Sequence, residues 1–251
     1  MRARVLPDVV ALAEAAAREI ISAAQRAIAL RGRFLVALAG GRTPIRAYEA
    51  LASQPLKDEI DWGAVEFFWS DERAVPPGHR DSNYGMAREV LLAPLGIDSR
   101  RVHRMAGEAT DLHRAARDYE AELVRCAGVP PVLDLVLLGI GADGHTASLF
   151  AGTAEPAEAN RWVVASKRPD SAGGRLTLTF PTIFAARQIM VLVAGADKAE
   201  ALHLAMEGGP SMALPSQRLQ EAGSRVAWFV DADAARLTSC SGSGKSHTEA
   251  Q

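Results

Sequence analysis

What most constrains this chain is a repeated punctuation: short uninterrupted apolar runs stop at a glycine-rich or charged turn and give way to segments with helical spacing. Phe34 to Ala39 stops at Gly40-Gly41, Val65 to Trp69 stops at Ser70-Asp71-Glu72-Arg73, and Leu133 to Leu138 stops at the stretch Gly139 to Gly144. An apolar run without polar alternation suits a strand covered on both faces. Trp162 to Ala165, Leu176 to Thr179, Ile189 to Val193 and Val226 to Val230 read as further strands. Between them, apolar residues recur at helical spacing over Pro7 to Leu30 and near Asp81 to Leu92, Asp111 to Cys126 and Lys198 to Met206. Thr43 before Pro44 predicts an N-cap and first helical residue for a helix to Leu51, and Thr146 to Phe150 is expected to open another short helix. Strands alternating with helices predict an α/β fold with a mostly parallel sheet covered by helices.

Length fits this fold without staples. The 251 residues can bury roughly 70 % of their extended-chain surface, and residues 1–238 are expected to form one α/β domain. Residues 239–251 (SCSGSGKSHTEAQ) carry almost no apolar groups to offset ordering entropy, so a disordered tail is expected there. An apolar share of 48 % with 23 % charged residues excludes disorder as the state of the whole chain. The formal net charge of −2 offers no basic field for nucleic acid or an anionic membrane. Asp8, Glu14, Arg18 and Glu19 interrupt the stretch after Arg2 and Arg4, so no leader is read there, and a cytoplasmic location is expected. Cys126 and Cys240 form neither a metal-ligand pair nor a redox dipeptide.

In open α/β sheets ligands bind outside the carboxyl ends of the strands, so the segments after each apolar run are the places where chemistry is expected. The turn Gly40-Gly41-Arg42-Thr43 can present backbone N–H groups and a helix start to an anion, as a phosphate cradle does. Asp71, Glu72 and Arg73 follow a buried strand directly, and Asp143 and His145 lie between glycines after the most apolar one. A histidine on such a turn can take and return a proton near neutrality. Arg175 and Lys198, beside later strands, add a planar donor fork and a compact charge suited to a phosphate dianion. No metal-ligand spacing is present. The other histidines, His79, His103, His113, His203 and His247, sit on polar or helical stretches and are expected to be solvated.

The motifs AGGRTP (39–44), SDERAVPPGHRDSNYGMA (70–87), LGIGADGHTASLFAG (138–152), RLTLTFPTI (175–183) and GADKA (195–199) together make the chain resemble the 6-phosphogluconolactonase family over nearly its whole length. The resemblance implies a three-layer Rossmann-like sheet with helices on both faces, as in the sugar-phosphate isomerases and deaminases, and hydrolysis of 6-phosphoglucono-δ-lactone without a cofactor or metal. It implies that His145 is the catalytic base, with Asp143, Arg73 and Asp71 around it. Gly40, Gly41, Arg42, Thr43, Arg175 and Lys198 then hold the substrate phosphate. The expected partner is a small phosphorylated sugar lactone, for a monomer or small homo-oligomer. Two departures stand out: Arg42 replaces a small hydroxyl residue, and Ala151 replaces a proline after Leu149-Phe150.

Two other readings share these residues. Glucosamine-6-phosphate deaminase has the same fold and a histidine on the same glycine turn, with an aspartate matching Asp71 as base. Its aromatic residue after the Asp-Glu pair is Arg73 here, and its run after Gly-His differs from Thr146-Ala147-Ser148-Leu149-Phe150. A non-catalytic sugar-phosphate sensor would need a DNA-reading module, and the first helix is too short and acidic to supply one.

Overall fold

The computed structural model describes residues 2–169, 173–209 and 214–239. In chain order the elements are β1 (Arg2–Leu6), α1 (Val9–Arg31), β2 (Phe34–Leu38), α2 (Arg42–Leu51), β3 (Val65–Trp69), β4 (Asp71–Arg73), α3 (Asn83–Ala87), α4 (Leu112–Ala127), β5 (Leu135–Leu138), β6 (Val163–Lys167), β7 (Gly174–Leu178), α5 (Phe180–Ala185), β8 (Gln188–Val193), α6 (Ala199–Glu207), β9 (Val226–Asp231) and α7 (Ala232–Ala235). Six strands form one sheet in the order β1-β9-β8-β5-β2-β3, and every pairing in it is parallel.

The expected α/β fold is present, built as the apolar runs require. All four residues of β5 are fully buried, and each such aliphatic side chain contributes about 1.5–3 kcal/mol on leaving water. α1 begins where the Asp8 carboxylate accepts hydrogen bonds from the N–H groups of Val10 and Ala11. It ends at Gly32, whose φ of 70° an L side chain rarely adopts. Its buried stripe includes Leu12, Ala16, Ala17, Ile20 and Ala24, and the small alanines let it pack closely on α2 and the sheet.

Several expectations need correction. β6 and β7 lie outside the parallel sheet; with β4 they make a three-stranded antiparallel sheet in the order β4-β7-β6. Only six residues lie between β6 and β7, too few for the crossover that a parallel pairing would need, and the two strands pair antiparallel. The sequence reading also missed β1 and β4, both short and rich in charge. The helix expected near 81–92 is a short α3 followed by a π-helical stretch, Arg88–Leu92. His103 is not solvated: its side chain is 8 % exposed and lies between Glu66 and Glu122.

One hydrophobic cluster runs through the molecule from Leu12 to Ala235. Of the expected tail only Ser239 is described, with its N–H and hydroxyl donating to Glu207; residues 240–251, and His247 with them, lie outside the described residues. Among the described residues no helix is long and apolar enough to cross a membrane.

Candidate active site

The strand order reverses between β2 and β5, and a cavity of about 690 Å³ opens at that point. Its walls come from the carboxyl ends of β2, β3, β5, β8 and β9, where the twisted sheet leaves loops on one edge. Gly40, Gly41, Arg42, Thr43, Asp71, Arg73, His145 and Lys198 all line it. Arg175 does not appear in that wall.

Backbone geometry builds the cradle. Gly41 has φ 94° and caps α2 without a side-chain hydrogen bond, so the first N–H groups of the helix remain open to the cavity. The helix starts at Arg42 rather than after a Thr43 cap, because Gly41 makes the turn that Thr43 was expected to make. The Tyr48 hydroxyl fixes the loop from beneath, accepting from the Ala39 N–H and donating to the Ala39 carbonyl. Burial pushes its phenol far above the usual range. Arg42 and Arg46 add positive charge on the rim.

Adjacent acids have divided roles. Glu72 is 2 % exposed and accepts from the N–H groups of Arg73, Asn83 and Tyr84 and from the Ser82 hydroxyl. Burial raises its pKa against the pull of those four donors. It therefore holds the loop that follows β4. Asp71 is the acid that faces the cavity, as alternation along β4 requires. Its Oδ2 accepts from Ser148 Oγ at 2.6 Å and its Oδ1 from Asn83 Nδ2 at 3.1 Å. Arg73 is anchored by a 2.6 Å bond from its guanidinium to the Asp81 carbonyl.

His145 sits on a tight loop and not before a helix. The short helix expected over 146–150 does not form; Thr146 and Leu149 make an isolated antiparallel bridge around Ala147, whose φ is 48°. A non-glycine residue held there costs about 1–3 kcal/mol and persists only where its surroundings fix it. They do: Ser148 N–H donates to Thr177 Oγ1 and Ser166 Oγ donates to the Ser148 carbonyl, tying the loop to the antiparallel sheet. His145 Nδ1 is hydrogen-bonded to Asp143 Oδ1, and the ring lies against Phe150 with centroids 4.9 Å apart. Among the described residues nothing bonds to Nε2, which leaves that nitrogen for a ligand. Asp143 also accepts from Arg168 at 3.3 Å. Partial burial pushes the Asp143 carboxyl up, but the bond and charge of His145, with Arg168, hold it below the usual range.

Lys198 reaches the cavity from the turn after β8, 3.4 Å from Asp197. Asp231 braces that turn by accepting from the Gly195 N–H. Arg175 pairs in register with Arg73 across β4 and β7, and its enclosed Nε has no hydrogen-bond partner among the described residues. Burial and the nearby Arg73 charge lower its pKa, with Asp71 opposing. It stands beside the Asp71 and Arg73 end of the site. Sequence reasoning missed Asn83, Arg168 and Arg46. The first follows a serine cap signal, but its contact with Asp71 depends on the bend between β3 and β4.

The family model of glucosamine-6-phosphate isomerases/6-phosphogluconolactonase matches residues 7–228. Similar proteins include the 6-phosphogluconolactonase of Streptomyces coelicolor, 37 % identical over 89 % of each chain. That of Synechocystis is 40 % identical over 83 % of this chain and 86 % of its own. Among solved structures, the 6-phosphogluconolactonase of Trypanosoma brucei superimposes with a TM-score of 0.85 at 30 % identity, covering 94 % of this chain and 98 % of its own. A monomeric glucosamine-6-phosphate deaminase shares the fold with a TM-score of 0.79 at 24 % identity, covering 94 % of this chain and all of its own.

Proposed function

The chain belongs to the glucosamine-6-phosphate isomerase/6-phosphogluconolactonase family, and from that premise we propose that it hydrolyses 6-phospho-D-glucono-1,5-lactone to 6-phosphogluconate, with residues 1–238 acting as one unit. One observation carries this reading: His145, with one ring nitrogen held by Asp143, lines the same cavity as the cradle of Gly40 to Thr43 and as Lys198. A proton-transfer group and an anion grip then share a space suited to a small phosphorylated ring.

A δ-lactone is an activated ester. Its hydrolysis needs a nucleophilic water, stabilisation of the carbonyl oxygen as it gains negative charge, and a proton for the ring oxygen that leaves. Asp143 keeps the proton of neutral His145 on Nδ1, so Nε2 presents its lone pair to water. Water adds to the lactone carbonyl carbon while its proton passes to Nε2, and the guanidinium of Arg73 stabilises the resulting alkoxide. The intermediate collapses with cleavage of the bond to the ring oxygen, which takes the proton back from Nε2. The acid so formed ionises to the solvent. Backbone N–H groups at the α2 start, with Arg42, Thr43 and Lys198, hold the phosphate and fix the ring relative to His145. Arg175, in register with Arg73 on the neighbouring strand, positions it, and Asp71 flanks it in the same cavity wall. Every step uses groups of the chain and water alone, without a metal or cofactor.

The test is the rate on freshly generated lactone against an enzyme-free blank, beside ammonia release from glucosamine 6-phosphate. Lactone opening well above the blank supports the proposal. Opening at the blank rate, or robust ammonia release, overturns it.

A further inference from the structure

Away from the cavity, His103, Glu122 and Cys126 bring three ligating atoms of different chemistry within 4.8 Å of one another. Glu122 and Cys126 are four residues apart on α4 and so share a face. His103 follows a short turn near Val102 and stacks on Phe68, with ring centroids 4.5 Å apart and planes 12° from parallel. Its Nδ1 stands 2.7 Å from Glu122 Oε1 and its Nε2 stands 2.9 Å from Glu66 Oε2. Cys126 Sγ lies 3.9 Å from the same Glu122 oxygen.

We propose that His103 Nδ1, Glu122 Oε1 and Cys126 Sγ form a site for a divalent transition metal of the zinc class, distinct from the lactone site. Imidazole nitrogen, thiolate sulfur and carboxylate oxygen are the donors that a borderline-soft ion selects. Glu66 supplies what a metal-binding histidine needs behind it: a carboxylate on Nε2 holds the proton there and leaves the Nδ1 lone pair outward. Stacking on Phe68 restricts rotation of the ring out of that pose.

Two of the three spacings fit after small shifts, and the third, His103 Nδ1 to Cys126 Sγ, lies within 4.8 Å and must close by up to about 1.3 Å. Ligand atoms on a tetrahedral ion at about 2.0–2.3 Å stand roughly 3.3–3.7 Å apart. The His103–Glu122 bond must therefore open by roughly half an ångström and the Glu122–Cys126 distance close by a few tenths. Both helical ligands are partly exposed, so solvent can enter and fill the fourth position. Binding releases two protons to solvent, that of the Cys126 thiol as the sulfur–metal bond forms and the one shared between His103 Nδ1 and Glu122 Oε1 as the metal takes its place. The metal also displaces one arm of Arg125, whose guanidinium bonds Glu122 at both oxygens, 2.6 Å to Oε1 and 2.9 Å to Oε2. The Oε2 arm can remain. Arg101 stays on Glu66 Oε1, 2.9 Å away, and does not compete for the ion.

Cobalt(II) titration of the metal-free full chain reads the site directly, because thiolate ligation adds a near-ultraviolet charge-transfer band that His145 and Asp143 cannot produce. One equivalent with that band is expected, displaced by zinc. Cys126→Ser should remove the band, and Glu66→Gln should weaken binding by about 10- to 100-fold, with lactone turnover unchanged in both as proof of folding. In the wild-type chain, zinc should slow alkylation of Cys126 but not of Cys240 by iodoacetamide, read by peptide mapping, which requires no variant. The absence of a thiolate band, its persistence in Cys126→Ser, or unprotected alkylation of Cys126 overturns the proposal.

Discussion

A Cβ placed on Gly141 would stand 2.1 Å from Nδ1 of His145 and 2.2 Å from Oδ1 of Asp143, so the backbone at 141 forms the floor on which this pair rests. Gly141 N–H also donates to the His145 carbonyl at 2.8 Å. Gly141→Ala keeps that bond available but pushes the imidazole and carboxylate out of register. Displacement of a reacting group by about 1 Å costs on the order of 100-fold in turnover. We expect that loss in kcat on the lactone, with circular dichroism matching the wild type.

Replacing the imidazole itself removes the proton carrier. His145→Ala should lower kcat by about 10²- to 10⁴-fold, the usual range for a positioned general base, while substrate binding through the cradle survives. Turnover equal to the wild type after subtraction of the spontaneous rate would remove His145 from the mechanism.

The glycine turn around His145 and the cradle after β2 were legible because apolar runs mark the strands and an open α/β sheet places its ligands at their ends. The division of labour between Asp71 and Glu72 was not. It depends on a strand of three residues that forms only because β7 pairs with it, and nothing local to Asp71-Glu72-Arg73 specifies that partner. The same tertiary cause hid Asn83 and Ser148, which meet on Asp71 from 12 and 77 residues away. The Thr146 to Phe150 segment misled because its local sequence cannot report that Ser148 is tied to Thr177 on another sheet. His103 misled likewise: its polar neighbours in sequence are not its neighbours in space.

The Asp143 carboxyl, held below the usual range by its partners, makes a signed statement about acid. A group whose pKa falls on folding contributes stability above its unfolded value, about 3.9 for aspartate, and loses it as pH falls through the lower folded value. The difference in thermal midpoint between wild type and Asp143→Asn should therefore be full near neutrality and shrink below about pH 4. A difference that is flat from neutrality to pH 3 would contradict the pairing.

Glu72 is buried with four donors aimed at its two oxygens. Glu72→Gln turns one acceptor oxygen into an N–H₂ group facing donors, leaving at least one buried N–H or hydroxyl without a partner. That costs about 1–3 kcal/mol, and urea unfolding should show it as a lower midpoint at constant slope. Because Glu72 holds the loop carrying Asn83, kcat should fall too, with less change in KM.

Lys198 and Arg175, grouped by the sequence as phosphate ligands, should separate kinetically. Lys198 lines the cavity, and a hydrogen bond to a charged group is worth about 1.5–3 kcal/mol. Lys198→Ala should thus raise KM by about 10- to 100-fold with little change in kcat, and weaken inhibition by inorganic phosphate in parallel. Arg175 stands in register with Arg73 instead, its enclosed Nε unpartnered among the described residues. Its removal relieves repulsion on Arg73 and lets that guanidinium move from the position proposed for the alkoxide. Arg175→Ala should accordingly lower kcat more than it raises KM, with phosphate inhibition preserved. An Arg175→Ala variant that loses phosphate inhibition as Lys198→Ala does would return Arg175 to the phosphate grip.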